Sequence, residues 1–365
     1  MSEKERVQGV TAETEVETET VKCDGCGSNM VFDPESQTLL CPHCGTKKSF
    51  GSNKIAEEND LREGLFNSPQ WTAEEAVVFG CDNCGAKVVL KQGETAGFCP
   101  FCGTSHVRLT EELAGIKPHG LIPFSIGENN AVELSKTWAK RRFYAPRKFK
   151  KNIKTDNVKG VYAPCFTFDS KTTSYYEGRI GKTHTRTVGS GKNRRTQTYV
   201  VWRNIRGTFN HNYDDLLVTA GSRFGQKELD KVSPFDTNNG KVYEEEYLLG
   251  FMAYHYDSKL SECWDNAKKI IDSDLRSEIL SQYSYDKVDY LNVSTTHSNV
   301  TYKYVMLPIY VGNYQFNKKN YNFFVNGSTG KVYGKTPISP LKVILTVLLG
   351  IALVVGLVLL IANGG

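Results

Sequence analysis

The chain has 365 residues, of which 39% are hydrophobic and 11% aromatic. This is enough apolar material for two or three domains with buried cores, and it excludes a wholly disordered protein. Its 45 basic and 40 acidic residues give a net charge of +5, so the overall charge indicates no particular partner. The position of the charges is more informative than their sum.

The first twenty residues are acidic and contain neither an aromatic residue nor an apolar stretch. They carry six Glu against one Lys and one Arg. Such a composition cannot offset the entropy lost on ordering, so we expect a disordered acidic tail over residues 1–20. A secretory signal peptide would need an apolar segment here, and its absence predicts a chain that stays in the reducing cytosol.

A sequence repeat follows the tail. VKCDGCGSNMVFDPESQTLLCPHCGT, from Val21, and FGCDNCGAKVVLKQGETAGFCPFCGT, from Phe79, align without a gap, 58 residues apart. Each copy holds two CxxC motifs, and a glycine follows the second cysteine of each motif. We predict zinc ribbons over residues 21–50 and 76–110, each with four cysteine ligands: Cys23, Cys26, Cys41 and Cys44 in the first, and Cys81, Cys84, Cys99 and Cys102 in the second.

The four-thiolate ligand set favours two structural zinc ions, with rubredoxin-like iron as the competing assignment. Four thiolates close the coordination sphere, so we expect each ion to fold its module and not to bind substrate. His43 and His106 lie beside the motifs, but four cysteines are already available in each copy. We therefore interpret both histidines as surface residues.

The remaining soluble part of the chain indicates an α+β fold. We predict a linker with a short helix over 51–75 and a mixed α+β domain over 115–337. Helical periodicity is present at 130–143 and at 260–283, where Ser258 is the expected N-cap. Strand-like runs begin at Val161, Thr196 and Tyr302, and the last of these is followed by two short runs that predict an antiparallel β-meander.

The C-terminal residues 343–362 contain no charge and no strongly polar side chain. At about 1.5 Å per residue, such a helix would span roughly 30 Å, the thickness of a bilayer core. We therefore expect a transmembrane helix over 341–362. Lys331, Lys335 and Lys342 precede it, which predicts a single-pass protein of the cell membrane with its N-terminal domains in the cytoplasm.

Positive charge is concentrated between residues 136 and 206. Lys136–Lys159 contains ten Lys or Arg, and Arg179–Arg206 contains eight. Tyr199 and Trp202 lie among the basic residues of the second run. A solvated face is the simplest interpretation. Anionic lipid, a protein partner, and nucleic acid contacted through its phosphates and by stacking are the alternatives.

No convincing catalytic set emerges from the sequence. His211, Asp214 and Asp215 could form a hydrolytic or metal site, but HNYDD is more often a polar turn. Cys165 and Cys263 have apolar neighbours and no evident base, so we expect them to be structural. The chain is therefore predicted not to be an enzyme.

Several segments resemble bacterial membrane-anchored proteins with TFIIB-type zinc ribbons, of the kind associated with PspA-like and flotillin-like SPFH proteins. The matching segments are CDNCGAKVVLKQGETAGFCPFCGT, GLIPFSIGENNAVELSKTWAKRRFYAP, GVYAPCFTFDSKTTSYYEGRIG, GTFNHNYDDLLV and MLPIYVGNYQFNKKNYNFFVNGSTGKVYG. Together these segments extend over nearly the whole chain beyond Lys22. The resemblance implies a non-enzymatic membrane component and carries over only the eight ribbon cysteines.

These features predict a tail-anchored scaffold or adaptor at the cytoplasmic face of the membrane. Its expected partners are the membrane, membrane-associated proteins of the SPFH or PspA kind, and anionic lipid. The alternative is a membrane-associated zinc-ribbon regulator that binds nucleic acid through the basic segment 136–206.

Overall fold

The computed structural model describes residues 21–363 except 52–53, 69, 71–75, 92–98, 100, 103, 106, 111–114, 152–157, 192–193 and 317–318. The side chains of 76, 90, 91, 151, 315, 320, 357 and 360–363 are also outside the described set. The predicted disordered tail, 1–20, lies outside the described residues.

The described helices are α1 (Leu61–Asn67), α2 (Glu128–Lys140), α3 (Arg147–Lys151), α4 (Gln226–Val232), α5 (Leu260–Ser281) and α6 (Pro340–Asn363), with a 3-10 turn at Glu245–Leu248. The short helices α3 and α4 were not predicted. Helix α1 lies in the predicted linker. Helix α5 begins at Leu260, as the periodicity predicts, but its N-cap is Lys259 and not Ser258. The N–H of Lys259 donates to the Glu262 carboxylate, whereas the N–H of Ser258 donates to the carbonyl of Ala220.

The strands differ greatly in length. They are β1 (Val31–Asp33), β2 (Thr38–Leu40), β3 (Lys47–Lys48), β4 (Asn59–Asp60), β5 (Ala76–Cys81), β6 (Lys87–Lys91), β7 (Val107–Leu109), β8 (Gly120–Leu121), β9 (Val158–Val188), β10 (Arg195–Thr219), β11 (Lys241–Val242), β12 (Met252–Tyr254), β13 (Lys287–Phe316), β14 (Lys319–Asn326) and β15 (Val332–Gly334).

The described strands form a small sheet and a large mixed one. The small sheet has the order β1-β2-β3 and belongs to the first cysteine module. The large sheet has twelve strands, with the main order β11-β8-β13-β9-β12-β6-β5-β7, and β10, β14, β15 and β4 attached beside it. Strand β12 runs parallel to β9, β8 runs parallel to β13, and the other pairs are antiparallel. Strands β13, β14 and β15 form the expected meander.

Both faces of this sheet are covered at its centre. Successive side chains in a strand point to opposite faces. On β9, Tyr162, Phe166 and Phe168 belong to one core, whereas Val161 and Cys165 belong to the other. This explains why the central runs are almost continuously apolar instead of alternating.

The predicted fold class was wrong in its organisation. We expected an α+β domain separate from two small ribbons and followed by a membrane helix. Strands β5, β6 and β7 of the second cysteine module instead join the large sheet, because Val88 and Val89 of β6 pair with β12. The physical reason is that β12 pairs with β9 along one edge only, and β6 of the second module pairs with its other edge.

A three-stranded part of the sheet, here called the β-arm, extends beyond the other strands. It comprises residues 170–188 of β9, 195–213 of β10 and 287–298 of β13, with β9 in the middle. Helix α5 packs on one face through a cluster that includes Ile279, Tyr176 and Leu291. On the other face, side chains of all three strands are exposed in alternation.

The C-terminal apolar run is helical, but the structure contradicts its predicted role. Among the residues that are described, no helix has both the length and the hydropathy needed to cross a membrane. A span requires about 20 consecutive apolar helical residues. The predicted transmembrane helix over 341–362 and the predicted single-pass location in the cell membrane are therefore corrected. Helix α6 contacts the sheet domain near its start, where Lys342 Nζ donates to the carbonyls of Phe143 and Ala145, both at 2.8 Å.

Replacement of Ile279 tests the packing of α5 on the β-arm. Ile279 is fully buried, so Ile279→Ala leaves a cavity and should lower the free energy of unfolding by about 2–4 kcal/mol. Ser277→Ala, at an exposed site on the same helix, should change it by less than about 0.5 kcal/mol. Urea unfolding of both variants measures the difference, and equal stabilities would contradict the packing.

Candidate metal centres

The four CxxC turns share one backbone geometry. In each turn the N–H of the first cysteine donates to the carbonyl oxygen five residues later, at 2.7–2.9 Å. In the three turns whose glycine is described, the glycine N–H donates back to the carbonyl of that first cysteine. Gly27, Gly45 and Gly85 have φ of +73°, +77° and +69°, which side chains with a Cβ disfavour. Gly103 lies outside the described residues.

Each pair of turns brings four thiols together. Cys23 Sγ lies 3.5 Å from Cys44 Sγ, and Cys26 Sγ lies 3.5 Å from Cys41 Sγ. In the second module the equivalent distances are both 3.6 Å, and in each module all four sulfurs lie within 4.8 Å of one another. The structure thus groups all eight predicted ligands as expected, and each group could hold a metal ion.

The spacing of the sulfurs fits a four-thiolate ion. A tetrahedral ion with Zn–S bonds of about 2.3 Å separates its sulfurs by about 3.8 Å. Sulfurs joined as a disulfide would lie at about 2.05 Å, and all eight cysteines are free thiols here. The Gly25 N–H also donates to Cys23 Sγ at 3.4 Å and lowers the pKa of that thiol, which favours the thiolate that a metal requires.

The two cysteine groups belong to cores on opposite faces of the large sheet. Cys23 and Cys41 belong to the core that contains Tyr162, and Phe32 of this module packs edge-on against Tyr247 at 5.2 Å. Cys81 and Cys99 belong to the core that contains Val161. Since Val161 and Tyr162 point to opposite faces, the two cysteine groups lie on opposite sides of the sheet.

The second module is the more enclosed. Cys26 and Cys44 of the first module are exposed, whereas the equivalent Cys84 and Cys102 are only partly exposed. Phe101 lies between the last two cysteines of the second module and packs on Tyr254 of β12, with ring centroids 5.0 Å apart. Burial raises the pKa of Cys84 to about 11, so a metal ion must displace a firmly held proton here.

The other cysteines and the nearby histidines lie outside these groups. Cys165 and Cys263 are fully buried, and burial raises the pKa of Cys263 to about 12, so both thiols stay protonated at neutral pH. His43 is exposed and belongs to neither cysteine group. His106 is not among the described residues.

The interpretation of HNYDD as a polar turn was wrong. Residues 211–215 lie within β10, and the strand bulges between Tyr213 and Leu216. His211 Nδ1 lies 3.0 Å from Glu278 Oε2 of α5, away from Asp214 and Asp215, which sequence proximity had suggested as its partners. His211, Asp274 and Glu278 form a potential ligand group, but Tyr213 also donates to Asp274 at 2.9 Å, so the described contacts already pair these side chains.

Sequence reasoning missed a serine–histidine pair that the sheet assembles. Ser170 Oγ lies 3.0 Å from His297 Nδ1, across the ladder between β9 and β13. Ser170 is only 2% exposed, and His297 packs against the edge of Trp264. Among the described residues no carboxylate bonds to His297, so the orienting group of a catalytic triad is absent from the part of the chain that is described.

The basic segment 136–206 is divided between separate elements. In its first part, residues 136–151 lie on α2, on α3 and between them, where Arg142 stacks over Trp138 at 4.9 Å, and Lys159 lies on β9. Lys154 lies outside the described residues. The second part of the segment lies on the β-arm, where Arg179 stacks over Trp202 at 5.5 Å and Arg186 over Tyr199 at 5.6 Å. The β-arm therefore combines guanidinium groups with exposed aromatic rings.

Comparison with known proteins finds a relative over most of the chain. A Bacillus subtilis (strain 168) protein, named uncharacterized protein YdjG, is 30% identical over 324 residues, which are 88% of this chain and 91% of that protein. The chain belongs to the YdjG family. No protein-family model matches the sequence, and no solved structure matches it.

Removal of two ligands from the second module tests the grouping of the cysteines. Cys81→Ser/Cys99→Ser leaves only two thiolates, Cys84 and Cys102, at the second site. Because two thiolates cannot hold the ion, the bound metal should fall from two ions to one per chain. Elemental analysis of the purified full chain measures the ratio. Cys165→Ser is the matched control, a buried cysteine outside both groups, and should keep both ions. A double variant that still holds two ions would contradict the assignment.

Proposed function

We propose that the chain is a non-enzymatic adaptor in which two zinc ions fold the cysteine modules and the β-arm recruits protein partners. The observation that carries the proposal is the uncovered face of the β-arm. Helix α5 covers the part of one face of these three strands that includes Tyr176 and Ile180, while the other face exposes aromatic and basic side chains along its length. A face of this kind is typical of a binding surface.

Zinc is the ion that the sites favour. Two CxxC turns that present four soft thiolates with tetrahedral spacing are the usual ligand set of structural zinc. Iron accepts the same ligands, but zinc needs no redox partner. Four thiolates leave no position for substrate, so the ion contributes to folding and supplies no Lewis acid for catalysis.

The open face of the β-arm has the composition of an interface. Tyr175, Tyr290 and Trp202 on this face are 54%, 44% and 37% exposed, and Arg179 lies among them. Their neighbours on the face are mainly Thr, Ser and Asn, which add hydrogen-bonding groups at a flat surface. Aromatic residues and arginine are enriched in the centres of protein interfaces.

The edge of the β-arm gives a second means of recruitment. Strand β10 pairs with β9 on one side, and no described strand pairs with its other side. An unpaired edge can bind an extended segment of another protein through main-chain hydrogen bonds. The resemblance to ribbon proteins associated with SPFH-like and PspA-like proteins supports partners of those kinds.

Nucleic acid is the second candidate partner, and the stacked arginines favour it. Arg179 over Trp202 and Arg186 over Tyr199 place a positive charge beside an exposed ring, an arrangement that suits single strands through phosphate contacts and base stacking. This candidate predicts binding that weakens steeply as the salt concentration rises.

A crosslinked pull-down with the full chain tests the proposal. Tyr175→Ser/Tyr290→Ser removes two exposed rings from the open face, and it should reduce recovery of an SPFH-like or PspA-like partner by roughly tenfold or more, as expected for interface anchors. Phe66→Ser is the matched control, since Phe66 is an 86% exposed ring on α1, outside the β-arm. The control should recover the same partner as the unaltered chain.

Three other outcomes of these experiments would count against the proposal. Enrichment of nucleic acid that salt removes, with no protein partner, would favour the second candidate. Equal recovery by both variants would contradict recruitment through the open face. Iron in the purified chain, with a reversible redox signal, would contradict structural zinc.

A further inference from the structure

A cluster of charged side chains lies where the segment between the two cysteine modules meets the large sheet. Strand β4 follows Glu58 and pairs with Thr301 and Tyr302 of β13. This pairing brings Glu58 beside Asp169 of β9, Asp215 of β10 and Lys303 of β13. None of these groups takes part in the cysteine sites.

Irregularities in the strands create the cluster. Asp215 has φ of +49° at the bulge in β10, and Asn299 has the same φ where the register of β13 against β9 shifts. The Asp215 N–H donates to Asp169 Oδ1 at 2.6 Å, so the bulge holds the two residues together. Thr301 Oγ1 lies 2.7 Å from Glu58 Oε2 and 3.2 Å from Asp169 Oδ2, which adds a hydroxyl oxygen to the group.

The cluster holds more negative charge than positive. Lys303 Nζ lies 2.8 Å from Asp215 Oδ1 and 3.5 Å from Glu58 Oε1, and its side chain is only 4% exposed. One ammonium group thus faces three carboxyl groups. Burial, with Glu58 beside it, raises the pKa of Asp169 to about 7, so a proton partly offsets the excess charge at neutral pH.

One carboxylate oxygen in the cluster is buried without a partner. The Asp215 side chain is 6% exposed. Its Oδ1 lies 2.8 Å from Lys303 Nζ, whereas its buried Oδ2 has no hydrogen-bond partner among the described residues. A buried oxygen of an ionised group is costly without a partner, so this atom indicates that the cluster binds a further positive group.

We propose that Glu58, Asp169 and Asp215 form a binding site for one hard divalent cation, of the Mg²⁺ or Ca²⁺ class. One oxygen from each residue lies within 4.8 Å of the others. Oxygens bound to one Ca²⁺ at about 2.3–2.6 Å can lie no farther apart than about 5 Å, so the three can reach a single ion. Carboxylate and hydroxyl oxygens select hard cations and not the soft-ligand metals of the cysteine sites.

The bound cation joins the connecting segment to the sheet. Glu58 comes from the segment between the modules, while Asp169 and Asp215 come from two strands of the large sheet. The cation would therefore hold that segment against β13, on which both modules' cores depend. This role is independent of the proposed recruitment of partners.

Calorimetric titration of the zinc-loaded full chain with Ca²⁺, and separately with Mg²⁺, tests the site. We expect one site per chain, and at least a tenfold loss of affinity in Glu58→Gln and in Asp169→Asn. Both substitutions keep the size of the side chain. Glu133→Gln removes an exposed carboxylate that pairs with Lys136 on α2, and this control should bind as the unaltered chain does.

Two further readouts distinguish this site from weak surface binding. Amides of residues 54–60 should exchange more slowly with Ca²⁺ than without it, and this change should be lost in Asp169→Asn. The affinity should also rise between pH 6 and pH 8, because the Asp169 proton must leave as the cation binds; the charged groups facing it are Glu58, Asp215 and Lys303. Unaltered metal content at the cysteine sites and an unchanged thermal unfolding midpoint without Ca²⁺ show that a variant is folded.

Absence of heat and of any exchange change at about 10 mM cation, well above a weak site's Kd of roughly 1 mM, would overturn the proposal. Equal affinity in Glu58→Gln, Asp169→Asn and Glu133→Gln would overturn it as well. In either case Lys303 and the Asp169 proton would partly offset the negative charge of the cluster without a bound cation.

Discussion

The antiparallel ladder between β9 and β13 is the constraint on which the rest of the molecule depends. It runs from the pair Val158 with Gly312 to the pair Gly181 with Lys287. Within the body of the sheet, alternate side chains of this ladder supply two separate cores, one on each face. Beyond the body, the same two strands continue into the β-arm after a register shift between Ser298 and Thr301. The cores, the arm and the site at Asp169 therefore all depend on this one ladder.

The cysteine modules are added to this ladder in two different ways. The first keeps its own three-stranded sheet and packs on one face of the large sheet, where Phe32 contacts Tyr247. The second extends the large sheet through β6 and covers the other face. Although the modules repeat one sequence pattern, their environments differ, and the second site is the more enclosed. The cysteine turns fold only when the metal binds. The ladder is stabilised by its apolar cores and does not need the metal to fold.

Local patterns in the sequence predicted the local features. Equal cysteine spacing predicted both ligand groups, and periodicity predicted α2, α5 and the meander. The length of β9 could not be predicted from the sequence. Its outer half is rich in Thr, Tyr and charged residues, which give no apolar strand pattern, and it is held as a strand by pairing with β10 and β13. The positive φ of Asp215 and its approach to Glu58 also depend on contacts between residues distant in sequence. The apolar C-terminal run was read correctly as helical and incorrectly as a membrane span.

Amide hydrogen exchange of the full chain, with its metal bound and after chelation, tests this account most directly. We predict that chelation removes protection from the amides of the first cysteine in each turn, which donate backbone hydrogen bonds that depend on the ion: Cys23, Cys41, Cys81 and Cys99. Amides at 160–168 of β9 and 302–311 of β13 should stay the slowest to exchange in both states, because apolar residues bury both faces there. Equal loss of protection along the ladder, or turns that remain protected without metal, would contradict the account.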